Sequence, residues 1–276
     1  MATVIVVANQ KGGVGKSTTT INLAGGTSSR GLRTCAIDFD PQASLTRYFG
    51  LPSSEKTFPK VSDWILGNKT FEDVIQKTDF SLLDYVPSSD SLTMAERVFQ
   101  TELINSDVMK IQETVKRVFG VLKNHVDSIR DRYDVIIIDT PPNFGTLMVA
   151  GLAAGDQILI PAELSFLSMQ GIGQLMEKVK DIQGLFPQIG ILGIVGTKYE
   201  KIPNEPNKCL NDLRSFDGQL PVFRSVIHKN VKLGEAAGYG KPIQYYDRAS
   251  QGFKDYEALT EEVLDKCKLT CPVAIP

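Results

Sequence analysis

Short apolar runs recur along the chain, at residues 4–8, 34–37, 82–86, 135–138, 158–161, 191–197 and, more weakly, 221–223. Some are apolar at every position rather than at alternate ones, as in Val135-Ile136-Ile137-Ile138. That pattern belongs to strands buried on both faces, as in a parallel sheet covered by helices. Longer stretches with helical spacing separate the runs. Strand–helix alternation throughout predicts an α/β fold: one doubly wound, mostly parallel sheet flanked by helices, with a ligand at the carboxyl ends of the strands.

Two stretches break the alternation: 51–70, with Pro52, Pro59 and Gly67, and 203–208, with Pro203 and Pro206. Both are expected to be surface excursions. Neither is polar enough for an interdomain linker, so a single domain over 1–276 is expected. A chain of 276 residues can bury a sizeable core, and 42% apolar with 22% charged residues is ordinary for a globular protein. The net charge of −2 gives no global nucleic-acid signature, so any DNA contact must come from a local patch. Cys35, Cys209, Cys267 and Cys271 are scattered without histidine neighbours, which fits reduced thiols and a cytoplasmic setting. No apolar run reaches the roughly 18 residues of a membrane span. Met1-Ala2-Thr3 leads straight into the first run, so neither a signal peptide nor an N-terminal helix-turn-helix module is expected.

The first run ends in Gln10-Lys11-Gly12-Gly13-Val14-Gly15-Lys16-Ser17-Thr18. A strand feeding a glycine-rich turn and a helix start is a phosphate cradle. Glycine lets backbone N–H groups close on one anion, and the helix N-terminus adds positive potential. Lys16 is placed to reach the β- and γ-phosphates and the Ser17 hydroxyl to ligate Mg²⁺. The P-loop pattern asks for a glycine where Gln10 stands, and the loop carries a second lysine, Lys11, instead. The bland alternative is a tight turn with no ligand, in which two lysines would repel each other without an anion.

Asp139 closes the run at 135–138, as a Walker B carboxylate holding Mg²⁺ through its water shell would, or as a helix N-cap. Asp38-Phe39-Asp40-Pro41-Gln42 ends the second run, and alternation turns Asp38 and Asp40 to one side. One can bind a Mg²⁺ water while the other positions the attacking water; an acidic turn before proline is the alternative. Lys11 can neutralise charge on the transferred phosphoryl group, either on its own nucleotide or across to a partner subunit.

Taken in order, Lys11-Gly-Gly-Val-Gly-Lys16-Ser17-Thr18, Asp38-Phe-Asp40-Pro-Gln42 and Ile138-Asp139-Thr-Pro-Pro142 resemble the ParA/MinD family of deviant-Walker ATPases. Val86-Pro87-Ser88-Ser89, Asn230-Val231-Lys232-Leu233-Gly234-Glu235-Ala236, Gly240-Lys241-Pro242-Ile243 and the closing helix around Asp255-Tyr256 look like its ParA branch. The resemblance implies ATP and Mg²⁺ as cofactors, with residues 11–18 (Lys11, Gly12, Gly13, Val14, Gly15, Lys16, Ser17, Thr18) around the nucleotide. Asp40 would orient the hydrolytic water, and Asp38 and Asp139 would support the metal with Ser17. Two ATP-bound subunits would form a sandwich homodimer, each Lys11 reaching the other's phosphates. That dimer would bind nonspecific DNA on the nucleoid, and a ParB-like or other adaptor would stimulate hydrolysis and move plasmid, chromosome or protein cargo.

The nitrogenase iron-protein branch needs cluster cysteines near the two switches, and neither 38–50 nor 139–154 has a cysteine. The MinD alternative binds membranes through a basic amphipathic closing helix. Here residues 251–268 mix three lysines with five acids, and core packing explains Phe253, Tyr256, Leu259, Val263 and Leu264 better than lipid does. DNA contacts are expected among Lys198, Lys201, Lys208, Arg224, Lys229, Lys232, Lys241, Arg248 and Lys254, with Lys229, Lys232, Arg248 and Lys254 foremost. Gln251 stands where the family's small DNA-binding members commonly carry a basic residue, and His228 is expected to be structural or a minor surface contact rather than a catalytic base.

Overall fold

The fully apolar runs become the centre of one eight-stranded sheet, because only strands covered on both sides give such runs a dry environment. The strands are β1 (Thr3–Val7), β2 (Thr34–Asp38), β3 (Gln76–Lys77), β4 (Leu83–Val86), β5 (Val135–Asp139), β6 (Gln157–Glu163), β7 (Gly190–Tyr199) and β8 (Val222–His228). They lie in the order β3-β4-β2-β5-β1-β6-β7-β8, all parallel except the antiparallel edge pair β3–β4. The computed structural model describes residues 1–50, 58–164, 166–200, 211, 214 and 220–272. The expected excursion at 203–208, with Lys201, Lys208 and Cys209, lies outside the described residues, as do 51–57 and 273–276.

The helices are α1 (Lys16–Ser29), α2 (Ser44–Tyr48), α3 (Val61–Ile65), α4 (Phe71–Val74), α5 (Ser91–Ile104), α6 (Ile111–Phe119), α7 (Val121–Asp127), α8 (Thr146–Ala154), α9 (Phe166–Leu185), α10 (Val231–Gly238) and α11 (Gln251–Cys267). Alternate strand residues feed two cores. Val4, Val6, Ile136 and Ile138 pack with Trp64, Leu122, Leu147 and Val179 on one face. Ile5, Val7, Val135 and Ile137 pack with Ile21, Leu23, Tyr256 and Leu259 on the other.

Three expectations change. Residues 60–65 are not a surface excursion, although 66–70 are exposed: Val61, Trp64 and Ile65 are buried, and Trp64 packs against Phe71 and edge-on to His125. A short helix with one large aromatic residue buries enough area to dock without a long apolar stripe. The edge strand β3 is only two residues long and polar, so it leaves no apolar trace. The last strand runs to His228 rather than stopping at 223. Its polar residues are tolerated because Glu262 of α11 accepts hydrogen bonds from the N–H groups of Arg224 and Ser225, at 2.9 and 2.7 Å. No helix among the described residues is long and apolar enough to cross a membrane.

Candidate nucleotide site

The carboxyl ends of the central strands converge on residues 9–17. Asn9 Nδ2 donates to the Pro161 carbonyl (2.7 Å), and Asn9 Oδ1 accepts from the Lys11 N–H (2.9 Å). From β7, Thr197 Oγ1 donates to the Val14 carbonyl at 2.9 Å. The loop is thereby hung between β1, β6 and β7. Gly13 (φ 74°) and Gly15 (φ 91°) adopt the left-handed conformation that residues with a Cβ rarely enter, and the space beside both is open. Gly15 caps α1, so the helix N-terminus opens toward this space.

Lys16 is 7% exposed and donates to the Lys11 carbonyl at 3.4 Å. Burial pulls its ammonium below the usual lysine range, and Asp139 and Asp40 oppose that pull. The in-register pairing of β2 and β5 sets Asp38 beside Asp139, both fully buried. Burial raises the Asp139 carboxyl well above the ordinary range, Asp38's charge adds to the rise, and the Ser17 hydroxyl counters it. Thr20 Oγ1 donates to Asp139 Oδ1 at 3.4 Å, while Oδ2 is buried with no hydrogen-bond partner among the described residues. An orphaned carboxylate oxygen next to a serine hydroxyl and a buried ammonium is a donor set that suits Mg²⁺ and phosphate.

Asp38 uses both oxygens on its own loop. Oδ1 accepts from the Asp40 N–H (3.2 Å), and Oδ2 accepts from the Thr46 N–H and hydroxyl (both 2.7 Å). Burial pushes its carboxyl up to about 7 despite these bonds. The turn-stabilising role considered for this acidic pair is therefore present. Asp40 is 6% exposed, accepts from the Gln42 N–H at 2.9 Å, and is raised by burial against the pull of Lys16 and Arg47. Lys11 extends its ammonium to Glu163 Oε2 at the end of β6 (3.3 Å) and remains 42% exposed. Lys11, Lys16, Ser17, Asp38, Asp40 and Asp139 thus gather at one end of the sheet.

The basic residues singled out for DNA contact lie beside this group rather than within it, Lys229 following the carboxyl end of the outer strand β8. Lys229 and Lys232 flank the β8–α10 junction, and Arg248 and Lys254 flank the start of α11; all four are exposed. Lys229 pairs with Glu200 at 2.7 Å and Lys232 with Glu235 at 2.8 Å. His228 is structural, as expected: its backbone N–H donates to Asp255 Oδ2 (2.8 Å), and its ring stands 3.0 Å from the same oxygen. Gln251 donates to Asp255 Oδ1 at 2.7 Å and so belongs to the same cluster. Sequence reasoning missed Glu163 and Thr46. Glu163 ends an apolar run as Asp139 does, a signal that was present; Thr46 gave none.

A family model described as an AAA domain matches residues 2–189. The chromosome partitioning protein ParA of Myxococcus xanthus is 32% identical over 264 residues, covering 95% of this chain and 88% of that protein. Among solved structures, an ATP complex of a McdA variant from Cyanothece superposes with a TM-score of 0.81 at 24% identity, covering 99% of each chain. A Mycobacterium smegmatis structure described as cobyrinic acid a,c-diamide synthase with ADP and magnesium gives 0.79 at 26% identity over the whole of both chains. The buried P-loop lysine, the second lysine at position 11 and the carboxylate at the end of β5 agree with these likenesses. The chain belongs to the ParA/MinD family of P-loop ATPases and is itself an ATP hydrolase.

Proposed function

We propose that this protein is a single-domain ParA-like positioning ATPase that works as an ATP-sandwich homodimer on nonspecific DNA, reset by a ParB-like or other adaptor that stimulates hydrolysis. The observation that carries the reading is the pair of lysines on one loop. Lys16 is buried among carboxylates, whereas Lys11 stands at the mouth with much of its side chain open. A buried lysine suits phosphates held by its own subunit. One at the rim suits phosphates presented by a second copy.

Residues 12–18 would hold their own subunit's ATP, Lys11 would reach the partner's, and Ser17 and Asp139 would hold Mg²⁺, supported by Asp38. When bound, the metal supplies charge neutralisation between the phosphate oxygens. Lys16 binds the terminal phosphates, Lys11 offsets charge on the partner's transferring group, and Asp40 orients the attacking water. Lys229, Lys232, Arg248 and Lys254 would supply phosphate contacts to DNA, doubled in the dimer. A nucleoid-associated cytoplasmic location follows from this reading. The chromosome partitioning role named for the Myxococcus xanthus relative supports a cargo-moving cycle.

The discriminating experiment measures sedimentation of the protein with ATP and Mg²⁺, alone, with random duplex DNA, and with anionic liposomes. ATP-dependent dimers that bind DNA in a salt-sensitive way and leave liposomes behind are expected. Liposome pelleting without DNA retention would replace this reading with the membrane-associated, MinD-like one. A nucleotide-loaded monomer would sink the sandwich.

A further inference from the structure

Asp40 sits neither on a strand nor on a helix: it rides on the loop between β2 and α2. The Asp38 carboxylate and the Thr46 side chain and N–H close that loop. Thr46, fully buried in α2, donates its hydroxyl to Asp38 Oδ2 at 2.7 Å while its own N–H donates to the same oxygen at 2.7 Å. The other Asp38 oxygen accepts from the Asp40 N–H. Residues 38 and 46 are therefore tied at one carboxylate, with Asp40 inside the ring. The Thr46 oxygen also accepts from the Ser88 N–H at 2.8 Å, which ties the ring to the segment that leaves β4. Inside the ring, Gln42 N–H to Asp40 Oδ1 and Ala43 N–H to the Asp40 carbonyl hold the turn, and Ala43 takes the left-handed conformation at φ 51°. A nonglycine residue in that region persists only when its surroundings hold it.

We infer that Thr46 is a positioning residue for hydrolysis: its hydroxyl latches the Asp40 loop onto Asp38 and onto the end of β4. This rests on the water-orienting role proposed for Asp40. The Thr46 oxygen donates once and accepts once. Its removal leaves a buried carboxylate oxygen short of one donor and a buried N–H without an acceptor. The loop then loses the geometry that aims Asp40, and small displacements of an orienting group cost up to about 100-fold in rate.

The test compares Thr46→Val, which keeps the volume and lacks the hydroxyl, with Thr46→Ser and Asp40→Ala. Steady-state ATPase activity and the affinity for a fluorescent ATP analogue are measured for each. Thr46→Val is expected to lose about 10- to 100-fold in kcat with nucleotide affinity kept, and Thr46→Ser to recover the rate. Tryptic cleavage after Arg47, exposed in α2, gives a readout independent of turnover. It should accelerate in Thr46→Val and not in Thr46→Ser. Where valine prevents folding, Thr46→Ala takes its place. A parent-like kcat in Thr46→Val beside an inactive Asp40→Ala overturns the latch alone. Normal turnover in Asp40→Ala overturns the role of Asp40, and the latch with it. Equal loss of affinity and rate, unrecovered by serine, makes Thr46 a merely structural residue and also overturns the inference.

Discussion

Charge at individual residues is arranged differently in the two regions of interest. At the nucleotide end, Lys16 and Asp139 are both buried and both pushed toward their neutral forms, so an incoming phosphate and metal relieve a standing electrostatic cost. On the C-terminal surface the reverse holds: Lys232 is exposed and already answered by Glu235, which also accepts from the Tyr246 hydroxyl at 2.8 Å. A carboxylate 2.8 Å away offsets the lysine's charge and repels an approaching DNA phosphate. Glu235→Gln frees Lys232 while still accepting from Tyr246. It is expected to strengthen ATP-dependent retention on random duplex DNA about two- to fivefold, the scale of one exposed ion pair. Unchanged or weaker retention in a salt titration would remove Lys232 from the DNA-contacting set.

Among the elements, α11 is joined to the nucleotide end through α1. Its Tyr256 is fully buried, with the hydroxyl 3.3 Å from Thr19 Oγ1 in the first turn of α1. Farther along α1, Gly25 and Gly26 let Pro242 and Thr260 approach the helix backbone. A Cβ at Gly25 would lie 2.5 Å from Pro242 Cβ, and one at Gly26 would fall inside the contact distance of Thr260. Gly26→Ala is therefore expected to lower stability by about 1–3 kcal/mol despite the better helix propensity of alanine, with thermal unfolding as the check. A melting temperature equal to the parent's would show that the two helices separate freely. The same packing explains why the apolar residues of α11 belong to the core. Elements with continuous apolar runs were legible in advance; α3, β3 and the polar end of β8 were not. α3 docks through Val61, Trp64 and Ile65 within five residues, β3 is two residues long, and β8 satisfies its edge through Glu262 on a distant helix.

For the whole molecule, closing the sheet brings two carboxylates together in a dry place. The Asp38 carboxyl is pushed from 3.8 to about 7, and Asp139 is raised beside it. A raised carboxyl stabilises the fold while it stays protonated. The contribution is complete below the unfolded value of 3.8 and is lost as pH climbs through about 7. The nucleotide-free protein should lose thermal stability over that window, and Asp38→Asn should flatten the decline; an identical pH profile in the variant would contradict it. The chain order of motifs, the burial of the central strands and the presence of a phosphate cradle were all determined by the sequence. Each depends on short-range spacing or on a run of one residue type. Tertiary structure alone decided that Asp38 lies beside Asp139, that Glu163 meets Lys11, and that Lys229 is already paired with Glu200. These facts arise from register and from contacts between residues far apart in the chain, which local spacing does not encode.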